Sequence, residues 1–370
     1  MRVLHVQKVN GIGGSERHLL SLLPGLLEAG LEVRMCVLGH AGARDFVSRL
    51  DKRGVPHSLI AAGSDVNPML VGSLWREMRS YRPDLVHTHL IHADVHGQLA
   101  ARLAGIRGVS SVHGTHDFYA RQPYRSAATI AGRSALLTIA ISSHVQRFLE
   151  RLHVTRPGGV RMVHYGIDAV QWPSPASARA RARADLGLGD DEIAVGVASR
   201  LVPHKGHELL LRAHARAAEQ APGLRLVVAG DGPMRGALER QAHGQNGTVR
   251  FLGFVSDIRG FMGACDVIAF PSQPEFGEGF GLAALEAMAA ERAIVASAVS
   301  SLPEVVGPDG GILVDPVAPG EWSDALVELA LDADRREQLG AQAHLRARSA
   351  FSLEAMVERT LSVYAEATSG

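Results

Sequence analysis

The chain has 370 residues, 46% of them hydrophobic, and its 38 Lys/Arg balance its 38 Asp/Glu. That length favours two domains, and the lack of any apolar run of about 18 residues excludes a membrane-spanning helix. Two cysteines in apolar contexts exclude a disulfide framework or a cysteine-based metal site, and no long Lys- or Arg-rich run argues for nucleic acid as a partner.

The neutral total hides an asymmetry. Residues 1–170 carry 20 Lys/Arg against 12 Asp/Glu, and the remainder carries 18 against 26. A basic first half suits an anionic membrane surface or a phosphate-bearing acceptor, with ordinary solvated charge as the alternative. Only three of the basic residues are lysines, Lys8, Lys52 and Lys205. An ammonium is a compact point charge that a guanidinium does not reproduce, so each lysine is a candidate for a specific role. The first segment, Arg2-Val3-Leu4-His5-Val6, reads as a strand with no charged leader before it. A soluble cytoplasmic protein is expected, with peripheral contact at the inner face of the cell membrane left open.

Short apolar segments alternate with amphipathic ones throughout. Strands are expected at 2–7, 32–38, 84–88, 108–112 and 136–141, then at 193–198, 224–229, 249–252, 266–270 and 293–296. Helices are expected at 15–29, 92–105, 206–220, 232–243 and 322–332, and from Ser352 through Tyr364. Alternation of this kind predicts parallel sheets with helices on both faces. The pattern breaks after Gly166-Ile167-Asp168, before Trp172-Pro173-Ser174-Pro175, so the fold class is α/β with two Rossmann-like domains.

Several motifs fall at strand ends. Gly11-Ile12-Gly13-Gly14-Ser15-Glu16 follows the first strand and opens a helix. It is not a dinucleotide fingerprint, because Glu16 stands where the third glycine belongs and no acid ends the second strand. His87-Thr88-His89 with His92 and His96 invites a metal reading, since i, i+4 spacing puts His92 and His96 on one helical face. The Asp-His pair of the metal-dependent His-x-His-x-Asp-His hydrolases is missing, so no metal site is assigned. His113-Gly114 ends the strand from Val109, where a buried, satisfied histidine is the commoner fate. Ser199-Arg200-Leu201-Val202-Pro203-His204-Lys205-Gly206 places two cations that together can neutralise a pyrophosphate leaving group. Asp332-Ala333-Asp334 falls at a polar helix boundary and reads as solvated surface.

The richest stretch runs from Asp266 to Met288. An apolar strand enters a glycine-rich turn, which opens an Ala/Leu-rich helix; Glu278 lies in the turn and Glu286 in the helix, seven residues apart. Gly277, Gly279 and Gly281 let a ligand approach the backbone closely. The N–H groups at the helix start favour an anion such as phosphate. Two carboxylates beside an anion site suit a ligand bearing both phosphates and hydroxyls, which describes a sugar nucleotide.

This Glu-x7-Glu pattern, with its flanking Pro-Ser, Phe-Gly-Leu and Glu-Ala-Met, resembles the signature of the retaining glycosyltransferases of family 4, which have the GT-B fold. The resemblance covers nearly the whole chain. It implies two Rossmann-like domains facing across a cleft. Residues 1–168 would bind the acceptor, with a C-terminal helix at 352–367 packing back on them, and 169–351 would bind the nucleotide sugar. It implies that Glu278 contacts donor-sugar hydroxyls, that Glu286 holds the ribose, and that Arg200 and Lys205 take the diphosphate charge. Gly279, Phe280, Gly281 and Leu282 would line the donor, and the backbone at Gly253 and Phe254 would meet the base. Gly13 and Gly14 would approach the donor phosphates, His113 would reach the sugar near its reacting carbon, and Glu16 and His89 would lie on the acceptor side. No cofactor and no metal would be needed.

Three departures from the family pattern stand out. Ser199 replaces a glycine, Tyr165 replaces the Asn of the Asn-Gly-Val-Asp motif, and Gln273 to Gly277 lengthen the turn so that Glu275 is a further candidate. The expected reaction moves a hexose from a UDP- or GDP-sugar to a hydroxyl of a glycan, lipid-linked or small-molecule acceptor, with retention, in cell-surface glycan or glycolipid synthesis. The alternatives are an epimerase or phosphorylase-type synthase of the same fold, or a non-catalytic sugar-nucleotide binding module.

Overall fold

The computed structural model describes the chain except residues 63–66, 116–118, 120, 246, 275–277 and 370. Glu275 and Gly277 therefore lie outside the described residues. The chain divides into two compact units, Met1–Gly166 together with Leu353–Gly370, and Ile167–Ser352.

The first unit is built on strands β1 (Arg2–Val9), β2 (Glu32–Gly39), β3 (His57–Ile60), β4 (Leu85–His89), β5 (Arg107–Val112), β6 (Leu137–Ala140) and β7 (Val160–Met162). They form one parallel sheet in the order β3-β2-β1-β4-β5-β6-β7. Successive side chains of a strand point to opposite faces. Val3 and Val9 of β1 accordingly join a core with Leu19, Leu22, Leu23 and Leu26 of the helix Gly14–Glu28 and Met356 and Val363 of the helix Leu353–Ser369. Leu4 and Val6 face the other way, onto Leu70, Leu74 and Met78 of the helix Pro68–Tyr81. Each such fully buried leucine contributes roughly 1.5–3 kcal/mol of transfer free energy.

The second unit has β8 (Ile193–Ala198), β9 (Leu224–Ala229), β10 (Val249–Gly253), β11 (Val267–Phe270), β12 (Ala293–Ser297) and β13 (Ile312–Val314). Their parallel order is β10-β9-β8-β11-β12-β13. Val267-Ile268-Ala269-Phe270 and Ala293-Ile294-Val295-Ala296 are buried on both faces, as central parallel strands must be. Trp322 of the helix Pro319–Leu331 is fully buried over one of those faces, together with Leu210 and Ala213 of the helix His207–Gln220.

Three strands go unpredicted from sequence: β3, β7 and β13. All lie at a sheet edge, and most of their residues are only half-buried; β3 and β7 mix polar with apolar residues, and the apolar run of β13 is only three residues long. The single helix expected at 92–105 is instead a short helix Leu90–Ala93, a π-helical segment Asp94–Gln98 and a second helix Leu99–Ala104. Among the described residues no helix is long and apolar enough to cross a membrane.

Candidate functional site

In the second sheet the chain goes to one side of β8 for β9 and to the other side for β11, so strand order reverses between β8 and β11. Loops leaving the carboxyl ends of two such strands diverge, and the crevice between them is where open α/β sheets bind ligands. The loop after β8 carries Arg200 and Lys205, and the loop after β11 carries Glu278.

The two loops meet in an ion pair between Lys205 Nζ and Glu278 Oε1. Ser272 Oγ donates to the same carboxylate oxygen at 2.9 Å, and Ser301 Oγ donates to the Glu278 carbonyl at 2.9 Å. Burial alone would raise the Glu278 carboxyl, but Lys205 and the Ser272 hydroxyl outweigh it and hold the group below the ordinary carboxylate range. Glu278 is therefore a charged, pre-oriented acceptor for hydroxyl donors.

Arg200 is exposed, and its side chain makes no hydrogen bond or ion pair among the described residues. Burial lowers His204, and Lys205 and Arg200 lower it further, so this histidine adds no third positive charge. The loop is closed by Gln273, whose backbone N–H donates to the His204 carbonyl at 2.8 Å and whose Nε2 donates to the carbonyls of Pro271 and Pro316, each at 3.1 Å.

The turn after Glu278 ends at Gly281, which caps the helix Leu282–Ala289 in the left-handed region at φ 86°. The N–H groups of Ala284 and Leu285 return to the Gly281 carbonyl at 2.8 and 3.2 Å, so those of Leu282 and Ala283 precede the first intrahelical bond. The side chain of Phe280 is buried edge-on against Phe351, 5.6 Å between ring centroids, which pins this turn to the core. Glu286 is buried within the helix. Gly253 ends β10 and accepts from Gly230 N–H at 2.7 Å, while Phe254 beside it is 83% exposed.

In the first unit the corresponding reversal lies between β1 and β4. Gly13 and Gly14, after β1, are exposed. Glu16 is buried, and its carboxylate holds that loop: Oε2 accepts from Gly13 N–H at 2.9 Å and from Ser15 Oγ at 3.1 Å, and Oε1 accepts from Gln7 Nε2 at 2.6 Å. Glu16 is thus committed to shaping the glycine loop.

His89, expected at an acceptor surface, is fully buried and forms hydrogen bonds through both ring nitrogens. His113 Nε2 meets His89 Nδ1 at 3.1 Å, and His113 Nδ1 meets the Tyr165 hydroxyl at 2.6 Å. Burial lowers His113 to about 3, so its ring is neutral. His18 stacks on Tyr165 with centroids 4.2 Å apart.

Sequence reasoning did not find Ser272, His5 or Tyr364 as participants. For His5 a signal existed, since His5 and Gln7 are polar residues on one face of an otherwise apolar strand. Among the described residues His5, His87 and His89 are grouped closely enough to hold a metal ion. All six of their ring nitrogens are already engaged in hydrogen bonds with one another or with Ser111, His113 and Tyr364.

Two family models match the chain: "Glycosyltransferase Family 4" over residues 12–171 and "Glycosyl transferases group 1" over residues 178–346. A D-inositol 3-phosphate glycosyltransferase of Corynebacterium jeikeium is 32% identical across 91% of this chain and 82% of its own length. A GDP-mannose-dependent monoacylated alpha-(1-6)-phosphatidylinositol monomannoside mannosyltransferase of Corynebacterium glutamicum is 31% identical over 48% of each chain. The crystal structure of Anabaena HepE in complex with UDP and glucose superimposes with a TM-score of 0.87, covering 99% of this chain and 100% of that one at 23% identity. That likeness shows the GT-B fold. Because both halves are matched and a named glycosyltransferase aligns along most of its length, the chain belongs to glycosyltransferase family 4.

Proposed function

We propose that this glycosyltransferase moves a hexose from a UDP- or GDP-sugar to an acceptor hydroxyl with retention of configuration, in the synthesis of a cell-surface glycan or glycolipid. The observation that carries the reading is the Lys205–Glu278 pair at the strand-order reversal, with Arg200 exposed on the same loop. A diphosphate arriving there takes over the Lys205 ammonium and recruits Arg200, and the helix start at Leu282 adds partial positive charge. Glu278, released from its cation, accepts from the sugar hydroxyls, and Glu286 accepts from the ribose. In the transfer step the bond from C1 to the phosphate oxygen breaks while a bond from C1 to the acceptor oxygen forms on the same face. The acceptor proton passes to the departing phosphate oxygen. His113 and the Gly13-Gly14 loop belong to the same reaction.

The nucleotide is supported from two directions. One relative carries GDP-mannose in its name, and one structural neighbour was solved with UDP and glucose. A thermal-shift panel of UDP, GDP and their glucose and mannose conjugates tests the reading, because a ligand that binds only the folded state raises stability by mass action. One nucleotide sugar at 100 times its Kd is expected to stabilise by about 2.7 kcal/mol. A panel with no shift overturns the assignment. The shift and the turnover are both expected to persist in EDTA, since Arg200, Lys205 and a helix N-terminus supply the positive charge. Loss of turnover in EDTA that magnesium or manganese restores would contradict this.

The acceptor side is proposed to meet an anionic membrane surface. The helix Tyr124–Ser134 presents Tyr124, 52% exposed, and Ile130, 69% exposed, with Arg125 and Arg133 exposed on the same element and Arg121 just before it. An apolar side chain flanked by cations suits an interface. Phosphatidylglycerol vesicles are expected to bind the protein at low salt and release it as the Debye length falls to about 8 Å at physiological ionic strength. At roughly 1 kcal/mol per basic residue, replacing Arg121, Arg125 and Arg133 with Gln should weaken binding at least tenfold while hydrolysis of the donor changes little. Binding that is absent at low salt, or indifferent to the triple replacement, points to a soluble acceptor.

A further inference from the structure

The face of the first sheet covered by the helices Gly14–Glu28 and Leu353–Ser369 becomes polar toward the strand ends. His5 is level with His87, Gln7 is level with His89, and His89 is level with Ser111 of β5. Tyr364 reaches this layer from the C-terminal helix and is fully buried. The polar groups join in one continuous sequence. Tyr165 OH meets His113 Nδ1 at 2.6 Å, His113 Nε2 meets His89 Nδ1 at 3.1 Å, and His89 Nε2 meets His5 Nδ1 at 3.0 Å. His5 Nε2 meets Tyr364 OH at 3.2 Å, Tyr364 OH meets His87 Nδ1 at 2.7 Å, and His87 Nε2 meets Ser111 Oγ at 2.7 Å.

A neutral imidazole has one N–H and one lone pair, and a hydroxyl has one hydrogen to give. These rules leave two complete assignments. If Tyr165 donates to His113 Nδ1, then His113, His89 and His5 each donate from Nε2, Tyr364 donates to His87 Nδ1, and His87 donates from Nε2 to Ser111. All four rings are then Nε2–H tautomers. If Ser111 donates instead, every arrow reverses and all four are Nδ1–H tautomers. The mixture in which Tyr364 accepts from both His5 and His87 leaves its own O–H without an acceptor, and every other mixture places two lone pairs or two N–H groups face to face in a dry interior; each leaves buried polar groups unsatisfied at about 1–3 kcal/mol. The chain is cooperative for that reason.

We propose that Tyr364 is a positioning residue that fixes the tautomer and ring orientation of His113 through His5 and His89. The proposal rests on the reading of His113 as a member of the reaction site. Tyr364 is the junction at which a single hydroxyl passes the direction of the bonds from one pair of histidines to the other. Burial lowers His5 and His113 to about 3 and places His87 and His89 well below the ordinary histidine value. An imidazolium is therefore strongly disfavoured anywhere in the sequence, so it serves to set neutral tautomers and does not store a positive charge. It also accounts for all six nitrogens of the His5-His87-His89 group without a metal ion.

The test is Tyr364→Phe in the full chain. Ring nitrogen shifts are read by long-range proton–nitrogen correlation on histidine-labelled protein, alongside kcat and KM for hydrolysis of UDP-glucose and GDP-mannose. In the parent the four buried rings are expected to share one tautomer. In Tyr364→Phe, His5, His89 and His113 are expected to become mixtures, with kcat falling about 10- to 100-fold and KM nearly unchanged, the size of effect that misplacing a reacting group produces. Should Tyr364→Phe fail to fold, Tyr165→Phe opens the same sequence at its other end. Mixed tautomers in the parent, unaltered His113 shifts and kcat in the variants, or stoichiometric zinc in the purified protein would each overturn the proposal. His113→Ala separates the two readings: if it retains full kcat, the site assignment of His113 fails and the proposal with it. If His113→Ala is inactive while both Tyr→Phe variants are normal, only the relay fails.

Discussion

Lys205→Ala and Arg200→Ala are each expected to lower turnover by about 30- to 1,000-fold, the loss that follows when a charge-assisted contact to a developing anion worth roughly 2–4 kcal/mol is removed. The two variants should differ in the free protein. Arg200 is exposed, so its removal leaves the fold undisturbed. Lys205 is paired with Glu278 where both side chains are about four-fifths buried, 19% and 20% exposed, so its removal strands a carboxylate that burial pushes upward. That second effect can be separated by experiment. If a stranded Glu278 caused the loss, Lys205→Ala would cost nothing further in a Glu278→Gln background, because the neutral amide needs no cation. If the ammonium acts on the donor diphosphate, the double variant is less active than Glu278→Gln alone. Near-normal turnover in both single variants would sink the donor-site assignment.

Much of this site was legible in the sequence because its parts are local. Arg200 and Lys205 lie on one loop, Glu278 and Glu286 on one turn and its helix, and each loop follows a strand whose apolar run is continuous. Scarcity helped as well: with three lysines in the chain, Lys205 stood out before its partner was known. What could not be read was anything that depends on distant residues sharing a layer. Tyr364 and His5 are 359 positions apart, and no periodicity announces that a tyrosine on the last helix bonds to histidines on β1 and β4. The same gap explains His89, where alternation along β4 placed a polar residue at a strand end but could not say that His5 on β1 and His113 after β5 already enclose it. Glu16 shows a different limit: a glutamate three residues into a glycine turn can cap that turn or face a ligand, and only the positions of Gly13 N–H, Ser15 and Gln7 show that it caps the turn.

Gly206→Ala should be among the most damaging glycine substitutions in the second unit. Gly206 follows Lys205 directly and sits at φ 68°, the left-handed region that disfavours a side chain by about 1–2 kcal/mol. A Cβ built there would lie 1.8 Å from the Pro271 carbonyl oxygen and 2.8 Å from its carbon, inside the backbone leaving β11. Backbone cannot yield as the tip of a flexible side chain does, so the loop after β8 must move away from the loop after β11. That is the contact which brings Lys205 to Glu278. We expect destabilisation of at least about 2 kcal/mol, a fall in Tm of about 4–8 °C for a unit of this size, and a raised KM for the donor in the surviving folded fraction. Gly14→Ala is the informative counterpart, since a Cβ at Gly14 meets nothing within 4 Å and its backbone is not left-handed. Its Tm should match the parent, so any loss of turnover there reports on the ligand and not on the fold. A Gly206→Ala protein whose Tm lies within a degree of the parent would mean that the two loops are not held together at Gly206, and that the Lys205–Glu278 geometry rests on something else.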